Sequence, residues 1–446
     1  MPADPRLVAQ IRLILETHED AAVFPPDWEE TGEVDYLYRK EVIHSSSEDV
    51  PRVLESLGRD FPSPAGSGRP APSPGEAAGP ARFTHRSVSP GVTQISLSHP
   101  DFPEPPAVPR VLEALDSVLG PGVATPDHLM YVCPYPCPAT EPGELSPGTV
   151  SPFPSPGSRR PGSGAVLPGG DGAGVSVIIA DTGLLPGASA DHSWLAGVTG
   201  TPEDPYDPVT RYIRTYAGHG TFVAGCVRSV APKAQVFVEK IFDTGAESFE
   251  SDLYPALEAA LDRHPDARVI VLTFTTASRG DRPLKTFEEF YARRLAGPDV
   301  VVLAPAGNDG KSRPMWPAAS PGVISVGALS ASWQERAHFS NHGDWVKVYT
   351  PGEKLVNAFA SGTYVCSEPP QGARRHFYGL AEWSGTSFST PLMAGLIAAR
   401  MSATGETGQQ AARALLQLAG EQTVDGIGPV LYPGQELVPD PAPAVP

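Results

Sequence analysis

Five short apolar runs, at 175–180, 236–242, 269–274, 300–304 and 323–326, recur along the second half of the chain. A strand that is apolar on both faces must be covered on both faces, which places such runs inside a parallel sheet rather than in a half-exposed antiparallel one. The segments between and after them, at 219–230, 251–263, 286–295 and 386–403, read as helices. The alternation predicts an α/β fold with a mostly parallel central sheet flanked by helices over 168–430.

At 446 residues the chain exceeds one ordinary domain of roughly 100–200 residues. Residues 1–33 carry one helical pattern through Leu7, Val8, Ile11, Leu13 and Ile14. Strand character at 36–43, 92–97 and 128–132 alternates with helices opening at 47 and spanning 108–119, which predicts a smaller α+β domain over 34–132. The Pro/Gly/Ala/Ser stretch at 62–80 reads as a mobile loop. The 52 prolines, about twice the usual frequency, crowd into a linker at 133–167 and a tail at 431–446 that is expected to be disordered.

A formal charge of −18 argues against nucleic acid or an anionic membrane as the main partner, because both demand clustered Lys and Arg. Cys133 and Cys137 sit in CPYPC, which could close a small loop or offer two metal ligands; with no second such pair nearby, neither a zinc site nor a disulfide framework is indicated. Cys226 falls in an apolar helix and reads as a buried small hydrophobe. The N-terminus shows no basic segment followed by a long apolar stretch, and no run of 18 apolar residues occurs. A cytoplasmic soluble protein is expected, with unconventional secretion left open.

Four segments carry chemistry. VSVIIADTG puts Asp181 at the C-terminal end of a buried strand, where open α/β sheets place their sites. GHGTFVAG puts His219 at a helix start between glycines. VVLAPAGNDG delivers Asn308, a neutral amide donor, after a strand. WSGTSFSTPLMAG sets Ser387 on the first turn of a helix, where free N–H groups favour a developing oxyanion. Pro391 lacks the N–H that would bond the Ser387 carbonyl, so that turn should depart from regular helix. Each segment alone has a plainer reading, as a cap or a turn. Their conjunction does not.

In the order Asp, His, Asn, Ser, with D-T-G, H-G-T-x-V-A-G, A-G-N and G-T-S-x-x-x-P-x-x-A-G all present, the chain resembles the subtilisin-like serine proteases, the subtilases. VAPKA at 230–234, PAASPGVISVGA at 317–328, FSNHG at 339–343 and TPG at 350–352 agree. The resemblance covers about 170–405. It implies a subtilisin-like fold and a serine endopeptidase that hydrolyses peptide bonds through an acyl-enzyme intermediate. It assigns Asp181, His219 and Ser387 as the triad and Asn308 as an oxyanion-hole donor. No cofactor is required for that chemistry; structural calcium is common in the family, but no ligand set can be matched.

The resemblance also implies a substrate groove walled by Leu272, Thr273, Phe274 and Thr275 on one side and Ala304, Pro305, Ala306 and Gly307 on the other. Thr275 stands where the family usually has Gly, Pro305 where Ala is common, and the edge segment 244–247 brings the acid of Glu247 toward the groove. These departures suggest a narrow substrate range, as in an intracellular processing protease with one peptide or protein partner. The other reading from a different class is a catalytically weak or inactive binding protein that keeps the fold. Residues 34–132 have the β–α–β–β–α–β order of the family's prodomains, so they are either an intramolecular prodomain, cut away in the linker, or an unrelated accessory domain.

Overall fold

The structure is a computed structural model, and it describes residues 5–61, 83–98, 104–132, 140–145, 151–154, 170–242, 246–297, 299–367, 370–424 and 426–433. The expected loop at 62–80, both cysteines of CPYPC and nearly all of the Pro-rich tail lie outside these residues.

The N-terminal part runs α1 (Pro5–Thr17), β1 (Ala21–Phe24), α2 (Trp28–Thr31), β2 (Tyr36–Ser46), α3 (Val50–Asp60), β3 (His85–Ser89), β4 (Val92–Ser96), α4 (Val108–Leu119) and β5 (Ala124–Tyr131). The later part continues with β6 (Ser176–Asp181), α5 (Ala188–Asp191), β7 (Thr199–Gly200), α6 (His219–Val230), β8 (Gln235–Lys240), β9 (Glu247–Phe249), α7 (Glu250–Arg263), β10 (Val269–Leu272) and α8 (Lys285–Arg294). It closes with β11 (Val301–Pro305), β12 (Val323–Leu329), β13 (Val348–Pro351), β14 (Leu355–Val365), β15 (Arg374–Trp383), α9 (Thr386–Thr404) and α10 (Gly408–Glu421).

Among the described residues the main sheet has seven strands in the order β13-β12-β11-β10-β6-β8-β7, all paired in parallel. Side chains alternate across it with the period of two that a pleated strand imposes. Val177, Ile179, Val269, Val271, Val301 and Leu303 join one core layer with α6 and α9. Ile178, Ala180, Ile270, Leu272, Val302 and Ala304 join the other with α7 and α8. This double covering is why the strands read as unbroken apolar runs. Helix α9 is buried along 386–399 and passes through the core, as its nearly all-apolar sequence requires.

The N-terminal sheet has the order β3-β4-β2-β5-β9, with β1 added on β2, all antiparallel. Ile43 of β2 points into the core under α3 and α4, while its neighbour His44 meets Thr286 of α8, Nδ1 to Oγ1 at 3.3 Å. One face of this sheet therefore carries its own helices and the other lies on α7 and α8. The expected break at residue 33 does not separate two units. β1 pairs with β2, and Leu7, Ile11 and Ile14 of α1 pack on Leu129, Tyr131 and Phe249, because the apolar stripe of α1 needs that cover. Strand β9, from the later part of the chain, is itself an edge of the N-terminal sheet.

Polar contacts fix this docking. Asp127 of β5 accepts from the Ser251 N–H (3.1 Å) and hydroxyl (2.7 Å), capping the start of α7. Arg39 donates to the same hydroxyl at 2.9 Å, and its guanidinium lies 4.0 Å over the Phe249 ring. His128 Nδ1 is 2.6 Å from Glu250 Oε1, while its Nε2 accepts from the Arg279 N–H at 3.2 Å.

Two glycines should respond oppositely to alanine. A Cβ on Gly225, inside α6, would fall 1.8 Å from Asn357 Oδ1, so Gly225→Ala should destabilise the fold by about 1–3 kcal/mol. Gly58, inside α3, has nothing within 4 Å of such a Cβ, so Gly58→Ala should stabilise by about 0.5–1 kcal/mol. Urea unfolding of the two variants checks both signs.

Candidate active site

β6 ends on Asp181 in the middle of the parallel sheet, between β10 and β8. α6 begins on His219, and its first turn sits on that strand end. Gly220 allows the approach: a Cβ there would lie 2.5 Å from the Gly183 carbonyl oxygen and 3.2 Å from Asp181 Cβ. The result is a buried pair, with His219 Nδ1 at 2.8 Å from Asp181 Oδ2 and 3.0 Å from Oδ1. Asp181 Oδ1 also accepts from the Thr182 N–H at 2.6 Å. A nitrogen facing a carboxylate carries the proton, which leaves Nε2 as the basic nitrogen. Nε2 is buried and makes no hydrogen bond among the described residues, the Ser387 hydroxyl included. The imidazole is held edge-on to Trp383, with ring centroids 5.5 Å apart, and lies 5.1 Å from Phe388.

Ser387 lies on the first turn of α9, directly after Gly385 and Thr386. Pro391 lies inside this helix, and the hydroxyls of Ser389 and Thr390 donate to the Thr386 carbonyl at 2.9 and 2.8 Å. Asn308 follows β11. Its Oδ1 accepts from both the N–H and the hydroxyl of Thr386, each at 2.9 Å, and that hydroxyl accepts from the Gly307 N–H at 3.1 Å. The carbonyl end of Asn308 is thus anchored to the start of α9. Its Nδ2 is left buried with no acceptor among the described residues. An unmet buried donor costs about 1–3 kcal/mol, so its retention points to an acceptor supplied from outside the fold.

The expected groove residues divide. Leu272, Phe274 and Ala304 are enclosed in the core layer under α7 and α8, with Phe274 edge-on to Phe242 at 5.5 Å. Their side chains face away from any groove because strand alternation sends them to the helix side. Thr273 donates its hydroxyl to the Ala180 carbonyl at 2.8 Å. Pro305 pairs with Val326 in the sheet, the Ala306 N–H donates to Val326 at 2.9 Å, and the Ala306 carbonyl accepts from Asn341 Nδ2 at 3.0 Å. Gly307 adopts φ +100°, and a Cβ there would meet Asn341 Nδ2 at 2.5 Å. Thr275 meets an extended strand: its N–H donates to the Tyr131 carbonyl at 3.2 Å.

That strand is the end of β5. Tyr131 pairs with Glu247, and the Val132 N–H donates to the Ala246 carbonyl at 2.9 Å. The N-terminal unit thus lays its own chain between the edge at 246–249 and the wall at 275. Glu247, expected to bring an acid to the groove, is buried and lies 3.4 Å from His18 Nε2. The His18 imidazole is raised above its ordinary value mainly by that contact. The rest of that edge segment, 244 and 245, lies outside the described residues.

Beyond the triad the chain is pinned again. Trp383 Nε1 donates to the Thr140 carbonyl at 2.6 Å, and Gly143 pairs with Glu382 through two hydrogen bonds of 2.7 and 3.0 Å. Glu141 accepts from the Tyr364 hydroxyl (3.0 Å) and the Ser367 N–H (2.6 Å). The described parts of the expected linker are therefore bound, because β15 offers edge groups that an adjacent chain can pair. Sequence reasoning also missed Thr386 and Trp383, which sit inside a recognised motif but work through its neighbours, and Glu203, whose buried carboxyl accepts from the Gly218 N–H. Among the described residues no group of three or more His, Cys, Asp or Glu is arranged to hold a metal ion, and no helix is long and apolar enough to cross a membrane.

Comparison with known proteins gives the following. The model of the subtilase family, Peptidase S8, matches residues 172–427. Subtilisin-like protease 2 of Trichophyton tonsurans is 31% identical over 241 residues, covering 52% of this chain and 51% of that protein. Subtilisin E of Bacillus subtilis (strain 168) is 28% identical over 244 residues, covering 52% and 56%. The chain spans about half the length of these relatives. The crystal structure of fervidolysin from Fervidobacterium pennivorans, a keratinolytic enzyme related to subtilisin, is similar in fold, with TM-score 0.55 and 17% identity over 89% of this chain and 60% of that one.

Thr386→Val keeps the shape of the side chain but strands the Gly307 N–H and frees one side of Asn308 Oδ1. It should cost about 1–3 kcal/mol, read as a lower urea midpoint with an unchanged slope.

Proposed function

The chain belongs to the subtilase family, and from that premise we propose that it is a serine endopeptidase in which Asp181, His219 and Ser387 carry the reaction and Asn308 binds the oxyanion. The observation that carries this reading is that a buried imidazole whose Nδ1 faces Asp181 packs on Phe388 in the first turn of α9, where an amide with an unmet donor is anchored as well.

A serine hydroxyl is a weak nucleophile at neutral pH and needs a base within reach. Here Nε2 of His219 takes the Ser387 proton as the hydroxyl oxygen attacks the peptide carbonyl. Asp181 holds the imidazole in the required tautomer and stabilises the imidazolium that forms. The carbonyl oxygen becomes an alkoxide, held by Asn308 Nδ2 and by the Ser387 N–H in the first turn of α9. His219 then returns the proton to the leaving nitrogen, and water repeats the sequence on the acyl-enzyme. His219 Nε2 has no hydrogen-bond partner among the described residues, and hydrogen bonds of this kind often tighten only in the substrate complex.

The N-terminal unit reads best as an intramolecular prodomain. Its strand order, its seat on α7 and α8 and the placement of Tyr131 and Val132 along the groove edges support this. Val132 is held at the 246 edge, and Thr140 is held by Trp383, whose ring packs edge-on against His219. Thr275 at the groove wall supports a selective processing role over general degradation, since its side chain narrows the space beside a bound strand. A cut between Val132 and Thr140, seen by N-terminal sequencing of purified protein, is the expected result; a fully active, uncut chain would contradict the prodomain.

Ser387→Ala should abolish cleavage of a denatured protein substrate while the fold survives. Asn308→Ala should lower kcat by about 10²–10³ with KM little changed. Wild-type turnover in the Ser387→Ala protein would refute the mechanism.

A further inference from the structure

We propose that Glu203 is a positioning residue of the hydrolytic site, fastening the strand end that carries Asp181 to the helix start that carries His219. The proposal rests on the reading of the site given above. Glu203 comes from the segment between α5 and α6, outside every recognised motif. Its N–H donates to the Leu184 carbonyl at 3.0 Å, which ties it beside the Asp181 turn. Gly183, at φ +108°, leaves it room: a Cβ there would lie 3.3 Å from Glu203 Cβ.

Its side chain is buried, and Oε2 accepts from the Gly218 N–H at 3.0 Å, at the residue immediately before His219. The Thr182 side chain, at the residue immediately after Asp181, also acts on this carboxyl and opposes its upward shift. Thr182 in turn accepts from the Gly220 N–H at 3.2 Å. The residue before His219 is thus held by the Glu203 carboxyl, and the turn after Asp181 by the Glu203 backbone through Leu184 and by Gly220 through Thr182. A lost link of this kind lets reacting groups drift, and about 1 Å of drift can cost roughly 100-fold in rate.

No ion pair joins Glu203 to a cation among the described residues. The charged groups facing it are Asp181 from β6 and Lys240 from the end of β8, and His219 of α6 directly follows the Gly218 that it binds. Across an adjoining cavity of about 720 Å³ stand Asp191, His192 and Asp204, and Arg214 donates to the Asp204 carbonyl. Burial first, and then the charge of Asp181, push the Glu203 carboxyl up to about 8. At neutral pH the group is therefore a neutral acid and adds no second charge to the pair. As pH rises through about 8 it ionises beside Asp181 and places a second buried negative charge next to the pair. The folded carboxyl lies above its ordinary value, so its contribution to stability is present at low pH and is lost as pH rises through about 8.

The test compares wild type, Glu203→Ala, Glu203→Gln and Asp204→Asn, the last an exposed acid at the cavity rim. Kinetics on a peptide substrate from about pH 6 to about pH 10 are combined with the low-field NMR resonance of the His219 Nδ1–H. Glu203→Ala should lower kcat about 10- to 100-fold with KM nearly unchanged, and should broaden or shift the Nδ1–H resonance. Glu203→Gln, which keeps the acceptor, should restore kcat to within about threefold and return the Nδ1–H resonance to its wild-type position. Asp204→Asn should match wild type. A folded Glu203→Ala protein with wild-type kcat and an unmoved resonance would overturn the proposal. So would a folded Glu203→Gln protein whose kcat falls by more than about tenfold although the acceptor is kept, which decides the matter if the alanine variant does not fold. A wild type that cleaves nothing would count against the peptidase reading, and the Nδ1–H resonance would still judge Glu203.

Discussion

The site depends on one contact: the first turn of α6 resting on the end of β6. It brings together Asp181 and His219, which are remote in the chain, with a 2.8 Å hydrogen bond between their buried side chains. Burial strips water from both groups and makes the pair costly unless each satisfies the other. Gly220 makes the contact sterically available, since any Cβ would strike the Gly183 carbonyl. Glycine is needed there for close packing, because His219 and Gly220 already lie in regular helix.

A second junction completes the arrangement. Thr386 binds Gly307 and Asn308 through its hydroxyl and Asn308 through its N–H, so the end of β11 and the start of α9 are one rigid piece. Asp181 and Asn308 thereby stand at the C-terminal ends of β6 and β11, parallel strands with β10 between them, and Ser387 lies on the helix that passes through the core beside them. This is where open α/β sheets gather their sites, since strand ends there face helix starts. The N-terminal unit adds its chain along the same ridge, pairing with both edges on one side of the triad and with β15 on the other.

Much of this was legible in the residues. The four core helices of the later part fall within a residue of their expected bounds, because each strand run is apolar on both faces and each helix between is bounded by Gly, Pro or polar residues. The motif residues Asp181, His219, Asn308 and Ser387 stood out by their order and by the glycines around them. What stayed hidden depends on pairing between distant segments. In the hairpin β14–β15, the second strand carries Arg374, His376 and Tyr378 at alternate exposed positions and shows no apolar run. β9 is three residues long and exists because β5 pairs with it. Leu272, Phe274 and Ala304 were assigned to the groove from their position in the motifs, yet strand alternation turns them into the core. Glu203 lies among Pro, Asp and Thr in a segment that reads as surface loop, and its burial is visible only once the Asp181 turn and the Gly218 turn are seen to meet there.

The central claim is that this geometry activates one serine hydroxyl. The most direct measurement treats the folded chain with a fluorophosphonate and locates the adduct by peptide mass spectrometry. The account predicts a single adduct on Ser387, absent from a folded His219→Ala protein. No adduct on the folded wild-type chain, or an adduct on Ser387 that forms equally fast without His219, would contradict it.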